Sequence, residues 1–308
     1  VGVNSTKLNQ TGNGNVAMGK DAFEANTTGD ENVAIGFTAL DANTTADGNT
    51  AVGTAALGAN TTGHSNTSVG KASLLTNTTG ESSVAIGYSA LNKNTTAGNN
   101  VAVGWKALEA NTVGFENTGL GNQAGDEITT GDQNTAAGSN ALGKVTTGDG
   151  NTGLGRAAGD LTTTGGNNIS IGLNSDPTAN DVSNQITLGN GDNDNLRCAD
   201  TSISTLSDER DKENIENIPH GLDYILAIRP VKFDWKTRDG SREGKKDYGF
   251  IAQELAKVEE KFESAEYTRL VHKENPEKWE ADVMKTYPIL IKAIQELSET
   301  NKKLTSRI

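Results

Sequence analysis

The chain has 308 residues, a net charge of −13 and a single cysteine, Cys198. One cysteine excludes an internal disulfide and a zinc site of several thiolates, and no apolar run reaches the roughly 18 residues of a membrane span, so we expect no membrane insertion. Residues 1–206 carry 8 Lys and Arg against 19 Asp and Glu, and this acidic balance argues against a nucleic-acid partner.

Glycine recurs every 17 residues through the first part of the chain. The recurring positions are Gly19, Gly36, Gly53, Gly70, Gly87, Gly104, Gly121, Gly138, Gly155, Gly172 and Gly189. The residue three before each glycine is Val, Ile or Thr, and the residue one before it is Met, Ile, Val, Leu or once Ala. A small residue lies between these two in most repeats, and such alternation predicts a short strand whose two faces differ.

One repeat cannot bury its own apolar residues, so the repeats have to stack. Stacking pairs each strand in parallel with its copy in the next coil and aligns the Val, Ile and Leu positions into continuous ladders. The pattern therefore predicts a mainly β fold over residues 1–189, a parallel β-solenoid of 17-residue coils. At about 4.8 Å per coil, the repeats form a rod on the order of 50 Å long.

Two motifs in the turns between the strands admit a chemical interpretation. Asn-Thr-Thr triplets, as at Asn26 and Asn43, match the acceptor pattern for glycosylation, but turn chemistry already explains asparagine there. Asp30 and Asp47 occupy positions typical of calcium-binding β-roll turns, but the period is not nine residues and His64 takes the next such position. We expect no metal, no cofactor and, without a recurring Ser/His/Asp set or paired carboxylates, no sugar hydrolysis.

The units Asn32–Gly36 and Asn100–Gly104 read Asn-Val-Ala-Ile-Gly and Asn-Val-Ala-Val-Gly. They resemble the head repeat of trimeric autotransporter (YadA-type) adhesins, and the resemblance spans about residues 13–189. Heads of that family are left-handed parallel β-rolls that associate as trimers, which implies a homotrimer here. Each thin roll would then pack against two identical neighbours, so few large side chains would be needed to fill its own core.

The composition changes after the repeats. Residues 190–206 are polar and predict a linker, whereas residues 207–308 hold nine of the fourteen aromatic residues and predict a small α+β domain. The first predicted element is a helix from the apolar spacing of residues 215–226, interrupted near its start by Pro219 and Gly221. A strand over residues 231–236 and a turn at Asp239-Gly240 follow, and residues 248–255 run from a strand into a helix that continues to Val258.

The end of the chain carries a heptad pattern. The spacing is 4-3-4-3-4 over Leu290, Ile294, Leu297, Asn301, Leu304 and Ile308. This spacing predicts a coiled coil over about residues 288–308, with Asn301 as a polar residue that fixes the register. The alternative is an amphipathic helix that packs on its own domain.

Residues 207–308 carry a second, more specific set of motifs. The motifs are Ser207–Ile215, Gly221-Leu222, Arg229-Pro230-Val231, Phe233-Asp234-Trp235, Gly249–Glu254 and Tyr287–Leu290. They resemble the C-terminal intramolecular chaperone of phage endosialidases and other tail spikes and fibres. In that family the domain trimerises, assists the folding of the β-structured part before it, and releases itself by autoproteolysis. One departure is Glu259-Glu260, where many relatives have a proline, and we expect it to affect a loop.

The second resemblance implies a catalytic Ser207 and Lys212, with cleavage between Ser207 and Asp208. A serine hydroxyl needs a base, and a lysine serves when burial makes it neutral. Five residues apart on a helix, the two would lie about 140° apart, so a dyad requires a bend. Attack of Ser207 on its own carbonyl would close a four-membered ring, whereas an N-to-O acyl shift at Leu206–Ser207 is easier. The alternative is a solvated helix start with Ser207 as N-cap.

Together the two resemblances imply a virion protein made in the host cytoplasm. The leading hypothesis is a tail fibre or spike that attaches to a host-surface glycan or receptor and that carries a self-cleaving trimerisation chaperone. Chains with a 17-residue period can slip by one repeat at little cost, so a C-terminal clamp would set their register. The alternatives are a non-cleaving trimeric surface adhesin and a glycan-degrading tail spike.

Overall fold

The computed structural model describes residues 2–193, 196–197, 207–236, 243–273, 275–277 and 279–307. The chain divides into two compact units, Val1–Asn190 and Gly191–Ile308. Several sequence predictions concern residues outside this described part: Cys198, most of the 190–206 linker including Leu206, the Asp239-Gly240 turn, and Ile308.

The first unit is a parallel β-solenoid, as predicted. Its eleven three-residue strands follow one another in one sheet without a crossover. Strands β1 to β11 are Val16–Met18, Val33–Ile35, Thr50–Val52, Thr67–Val69, Val84–Ile86, Val101–Val103, Thr118–Leu120, Thr135–Ala137, Thr152–Leu154, Ile169–Ile171 and Ile186–Leu188. Every pair is in register at the repeat length, as where Val101 lies opposite Thr118. Each strand is therefore matched by its own copy 17 residues on.

The strands bury their smallest residue and turn their larger residues outward. In β2 to β10 the middle residue is buried, whereas Ile86 and Val103 are 40% and 36% exposed. The interior at that position is filled by a column of buried leucines, since a Cβ added to Gly119 would lie 2.9 Å from Cγ of Leu108. The predicted ladders thus exist: those formed by the strand residues lie on the outer face, whereas the leucines that follow the glycine form a ladder inside.

A ladder of buried asparagines runs inside the solenoid. Its members are fully buried: Asn26, Asn43, Asn60, Asn77, Asn94 and Asn111. The Asn77 amide donates 2.9 Å to Oδ1 of Asn60 and 3.0 Å to the Gly80 carbonyl, which closes its own turn. All but Asn111 begin the Asn-Thr-Thr triplets, and a buried amide that donates twice is not accessible for glycosylation.

Removal of one asparagine side chain from this ladder should destabilise the rod. We expect Asn77→Ala to lower the free energy of unfolding by about 2 kcal/mol, because Oδ1 of Asn60 would stay buried without its donor. Asn122→Ala is the matched control, since that asparagine is exposed. Denaturant unfolding of the two variants measures the difference, and equal losses would contradict a role for the ladder.

The second unit is a small α+β fold, as predicted. Its elements are α1 (Leu222–Ala227), β12 (Val231–Asp234), β13 (Lys246–Gly249), α2 (Ala252–Lys261), α3 (Ala265–Thr268), β14 (Val271–His272), β15 (Glu280–Ala281) and α4 (Tyr287–Thr305). Strands β12 and β13 form an antiparallel hairpin, as do β14 and β15. The core contains Tyr224, Val258, Leu270 and Ile289.

Several predicted boundaries in this unit are wrong: strand β12 ends at Asp234, and strand β13 begins at Lys246. Helix α1 begins only at Leu222, because Pro219 and Gly221 interrupt the apolar spacing before it. Helix α2 continues past Val258, so Glu259 lies in a helix and not in a loop. Its buried carboxylate accepts from the Thr268 hydroxyl at 2.7 Å and from the Leu270 backbone N–H at 2.6 Å, which fastens α2 to the segment that follows α3.

Helix α4 has two apolar faces. Ile289 and Ala293 are buried against the core of the second unit, as the packing alternative requires. Leu290, Ile294 and Leu297, on the predicted seam, are 39%, 60% and 47% exposed. The helix therefore packs on its own domain and still leaves the heptad face uncovered in the single chain.

Candidate Ser207–Lys212 site

A single 3₁₀ turn, Glu209–Asp211, separates Ser207 from Lys212. Asp208 caps this turn: its backbone is extended, with φ −68° and ψ 137°, and its Oδ1 accepts from the backbone N–H of Arg210 at 2.9 Å. At Lys212 the backbone is extended again, with φ −128° and ψ 142°. The N-cap is therefore Asp208 and not Ser207, as the alternative had placed it; the solvent exposure that this alternative predicted is present.

The turn brings the two predicted side chains together. Lys212 Nζ lies 2.7 Å from Ser207 Oγ and 3.3 Å from the Ser207 carbonyl oxygen. A continuous helix would have held them apart, so this turn is the bend that a dyad requires. The same ammonium thus reaches both the hydroxyl and the carbonyl of the Ser207–Asp208 peptide bond.

Arg210 holds the neighbouring carboxylate. Its side chain donates to Asp208 from Nε at 2.9 Å and from Nη2 at 2.6 Å. This side-chain pairing, with the Arg210 backbone N–H in support, lowers the pKa of Asp208. Within the described residues no carboxylate pairs with Lys212, whose ammonium is left to the two oxygens of Ser207.

The arrangement supplies a nucleophile and a candidate base in contact, but no burial. Ser207 and Lys212 are both exposed in the single chain. A lysine takes a proton from a hydroxyl only when it is neutral, and removal of water favours the neutral form. A covering surface would therefore complete the chemistry of this contact.

An ion pair that the sequence did not reveal joins two of the motifs that follow. Nε of Arg229, just before β12, donates to Oε2 of Glu254 in the first turn of α2 at 3.0 Å, and Nη2 contacts Oε1. This pairing lowers the pKa of Glu254. Both residues lie in motifs of the second resemblance, and this shared membership is the sequence signal that could have identified the pair.

No grouping of three or more His, Cys, Asp or Glu side chains suited to a metal ion occurs among the described residues. In the same part of the chain, no helix combines the length and the hydropathy that crossing a bilayer needs.

Comparison with known proteins places the site within one family match. No curated protein and no solved structure matches the chain. Residues 207–265 match a family model described as the chaperone of endosialidase, a peptidase family of the S74 class. The match begins at Ser207 and covers Lys212, Arg229 and Glu254. This part of the chain is therefore similar to the chaperone of endosialidase, which at a general level implies a self-cleaving peptidase that follows a β-solenoid.

Proposed function

We propose that the chain is part of a phage tail fibre or spike, a virion protein for host attachment. It assembles as a homotrimer, and residues 207–308 act as an intramolecular chaperone that then releases itself. The observation that carries the proposal is the 2.7 Å contact between Lys212 Nζ and Ser207 Oγ at the first residue of the family match. In the sequence the site follows the last repeat of the rod, which is the position that a release point between the two parts requires.

Two uncovered apolar surfaces support self-assembly. On the rod, the residue before the glycine is at least partly exposed in every strand, and Leu120 and Leu154 are 43% and 51% exposed. This stripe is continuous over eleven coils, and such patches are uncommon on monomers. The heptad face of α4 is the second surface. Two further copies of the same chain cover both.

The regularity of the rod explains why a chaperone is needed. Every coil pairs with its neighbour through equivalent residues, so a shift of one whole coil between chains preserves most contacts. A C-terminal clamp that trimerises first aligns the chains and raises their local concentration. Its removal afterwards leaves a fibre without an easy route to unfolding.

Cleavage uses the contact between Lys212 and Ser207. Once a neighbouring copy covers the site, neutral Lys212 accepts the Ser207 hydroxyl proton and passes it to the departing amide nitrogen. The 3.3 Å approach of Lys212 to the Ser207 carbonyl supports cleavage of the Ser207–Asp208 bond. Because attack of Ser207 on its own carbonyl closes a four-membered ring, the deprotonated Ser207 oxygen attacks the Ser207 carbonyl of a neighbouring copy. The bond to the Asp208 nitrogen breaks, that nitrogen leaves with the proton from Lys212, and water hydrolyses the resulting ester. An N-to-O acyl shift at Leu206–Ser207 needs no second copy: the Leu206 acyl group moves from the Ser207 nitrogen to the Ser207 oxygen, and water then hydrolyses the ester.

Denaturing gels and intact mass spectrometry of the folded wild type test the proposal. We expect a C-terminal fragment that begins at Asp208, and a native mass of three chains before release. A fragment that begins at Ser207 would assign the acyl shift instead. An uncut trimer would disprove the peptidase and favour the non-cleaving adhesin, and a folded monomer would disprove the assembly.

A further inference from the structure

Aromatic residues are rare in the rod, and most of those present are exposed. Residues 2–190 contain five: Phe23, Phe37, Tyr88, Trp105 and Phe115. Phe23 is buried, and the other four are between 43% and 48% exposed. Exposed aromatic side chains on a thin rod with a small-residue interior contribute nothing to its core. They are therefore available to contact a ligand or partner outside the rod.

Two of these aromatics form a stacked pair. Tyr88 and Trp105 both follow the recurring glycine, in adjacent coils, and their ring centroids lie 6.5 Å apart with an interplanar angle of 14°. Lys106 Nζ lies 5.0 Å from the Trp105 ring centroid and 3.0 Å from the Glu109 carboxylate. The ion pair holds the lysine stem beside the aromatic surface.

A polar rim adjoins the pair. Backbone hydrogen bonds place Lys106 beside Tyr88 and Gln123 beside Trp105, each at 2.9 Å. The Gln123 amide donates to Asp126 at 2.8 Å. Partial burial raises the pKa of Asp126, with the charges of Glu127 and Glu109 adding to it and the Gln123 hydrogen bond opposing it. The surface thus offers carboxylates, an amide and an ammonium next to two parallel rings.

We propose that the Trp105 patch, formed by Tyr88, Trp105, Lys106, Glu109, Gln123 and Asp126, binds a neutral oligosaccharide. This inference rests on the proposed attachment function and names its ligand class and its residues. A sugar ring has one apolar face of C–H groups, which suits an aromatic ring, and a rim of hydroxyls, which suits carboxylate and amide partners. Glu109, Asp126 and the acidic rod disfavour sialylated or sulfated glycans.

The position of the patch argues against a contact between copies of the chain. The apolar stripe before the glycine continues through all the coils, whereas the column after it is aromatic at only three positions. All but one of its other positions are polar: Lys20, Thr54, Lys71, Asn122, Ser139, Arg156, Leu173 and Asn190. A protein–protein interface that excludes water would also have to remove water from Lys106, Glu109 and Asp126, which costs free energy. Water-mediated contacts with a sugar avoid this cost.

A glycan array that carries neutral, sialylated and sulfated oligosaccharides, probed with the full chain, tests the inference. We expect the wild type to bind neutral glycans preferentially, and Trp105→Ala and Tyr88→Ala each to weaken binding at least about tenfold. Phe115→Ala is the matched control, an equally exposed aromatic in another column of the rod, and should retain binding.

A wild type that binds no neutral glycan would overturn the inference, as would unchanged binding in Trp105→Ala and Tyr88→Ala. An equal loss of binding in Phe115→Ala would also contradict it. A changed native mass in Trp105→Ala would show that the patch is a contact between copies. Cleavage and trimer mass are read separately, so failure here is distinguishable from failure of the proposed function.

Discussion

Ser207→Ala is expected to leave the chain full length under conditions in which the wild type separates into two fragments. The substitution removes the hydroxyl that Lys212 Nζ contacts at 2.7 Å, and no other described nucleophile contacts this lysine. The 3₁₀ turn is capped by Asp208 and not by Ser207, so the variant should fold and keep the native mass of the wild type. Denaturing gels over time, together with native mass, measure both properties.

Substitutions at Lys212 separate the role of a base from that of a charge. Lys212→Arg keeps a positive charge near the Ser207 oxygens, but a guanidinium does not lose its proton in proteins. We expect this variant to stay uncut, like Lys212→Ala. Glu209→Ala is the control, since Glu209 is an exposed residue of the same turn without a side-chain contact to Ser207. Cleavage by Lys212→Arg at the wild-type rate would contradict the base mechanism.

The sequence predicted the strands of the rod but not their orientation. The 17-residue period located all eleven strands, because each repeats the same alternation. Which face of a strand points inward depends on how much space lies between the opposite sides of a coil. The sequence of a single repeat does not specify that space. A Cβ added to Gly153 would lie 2.9 Å from Cγ of Leu142, so the coil admits only the small middle residue. Turn chemistry explains the hydrogen bond that each buried asparagine makes within its own turn. It does not predict the hydrogen bond between asparagines of adjacent coils.

The candidate site was predicted from resemblance and not from local physics. Ser207 and Lys212 are five residues apart, a spacing that a regular helix would not bring together. Their contact depends on a turn only three residues long, and the acidic and basic residues there are equally compatible with a solvated helix start. The heptad spacing of α4 was more informative, since it separated Leu290 and Ile294 from the buried face that contains Ile289.

Gly104→Ala is expected to disrupt the rod severely. At Gly104 the backbone has φ +142°, a conformation that side chains rarely adopt. A Cβ there would lie 2.1 Å from the Gly121 carbonyl oxygen in the next coil. Because the obstacle is backbone, relief requires the two coils to separate. We expect a loss of at least about 3 kcal/mol per chain in the free energy of unfolding.

Gly58→Ala provides the matched control for that result. Gly58 lies in the same rod without a positive φ, and an added Cβ would have its nearest neighbours at 3.5 Å, an ordinary van der Waals distance. Denaturant unfolding and the yield of soluble protein should therefore change little in this variant. Equal behaviour of the two variants would mean that the coils are not as closely spaced at the recurring glycine as this packing requires. The recurrence of glycine every 17 residues would then need another cause, such as the turn conformation alone.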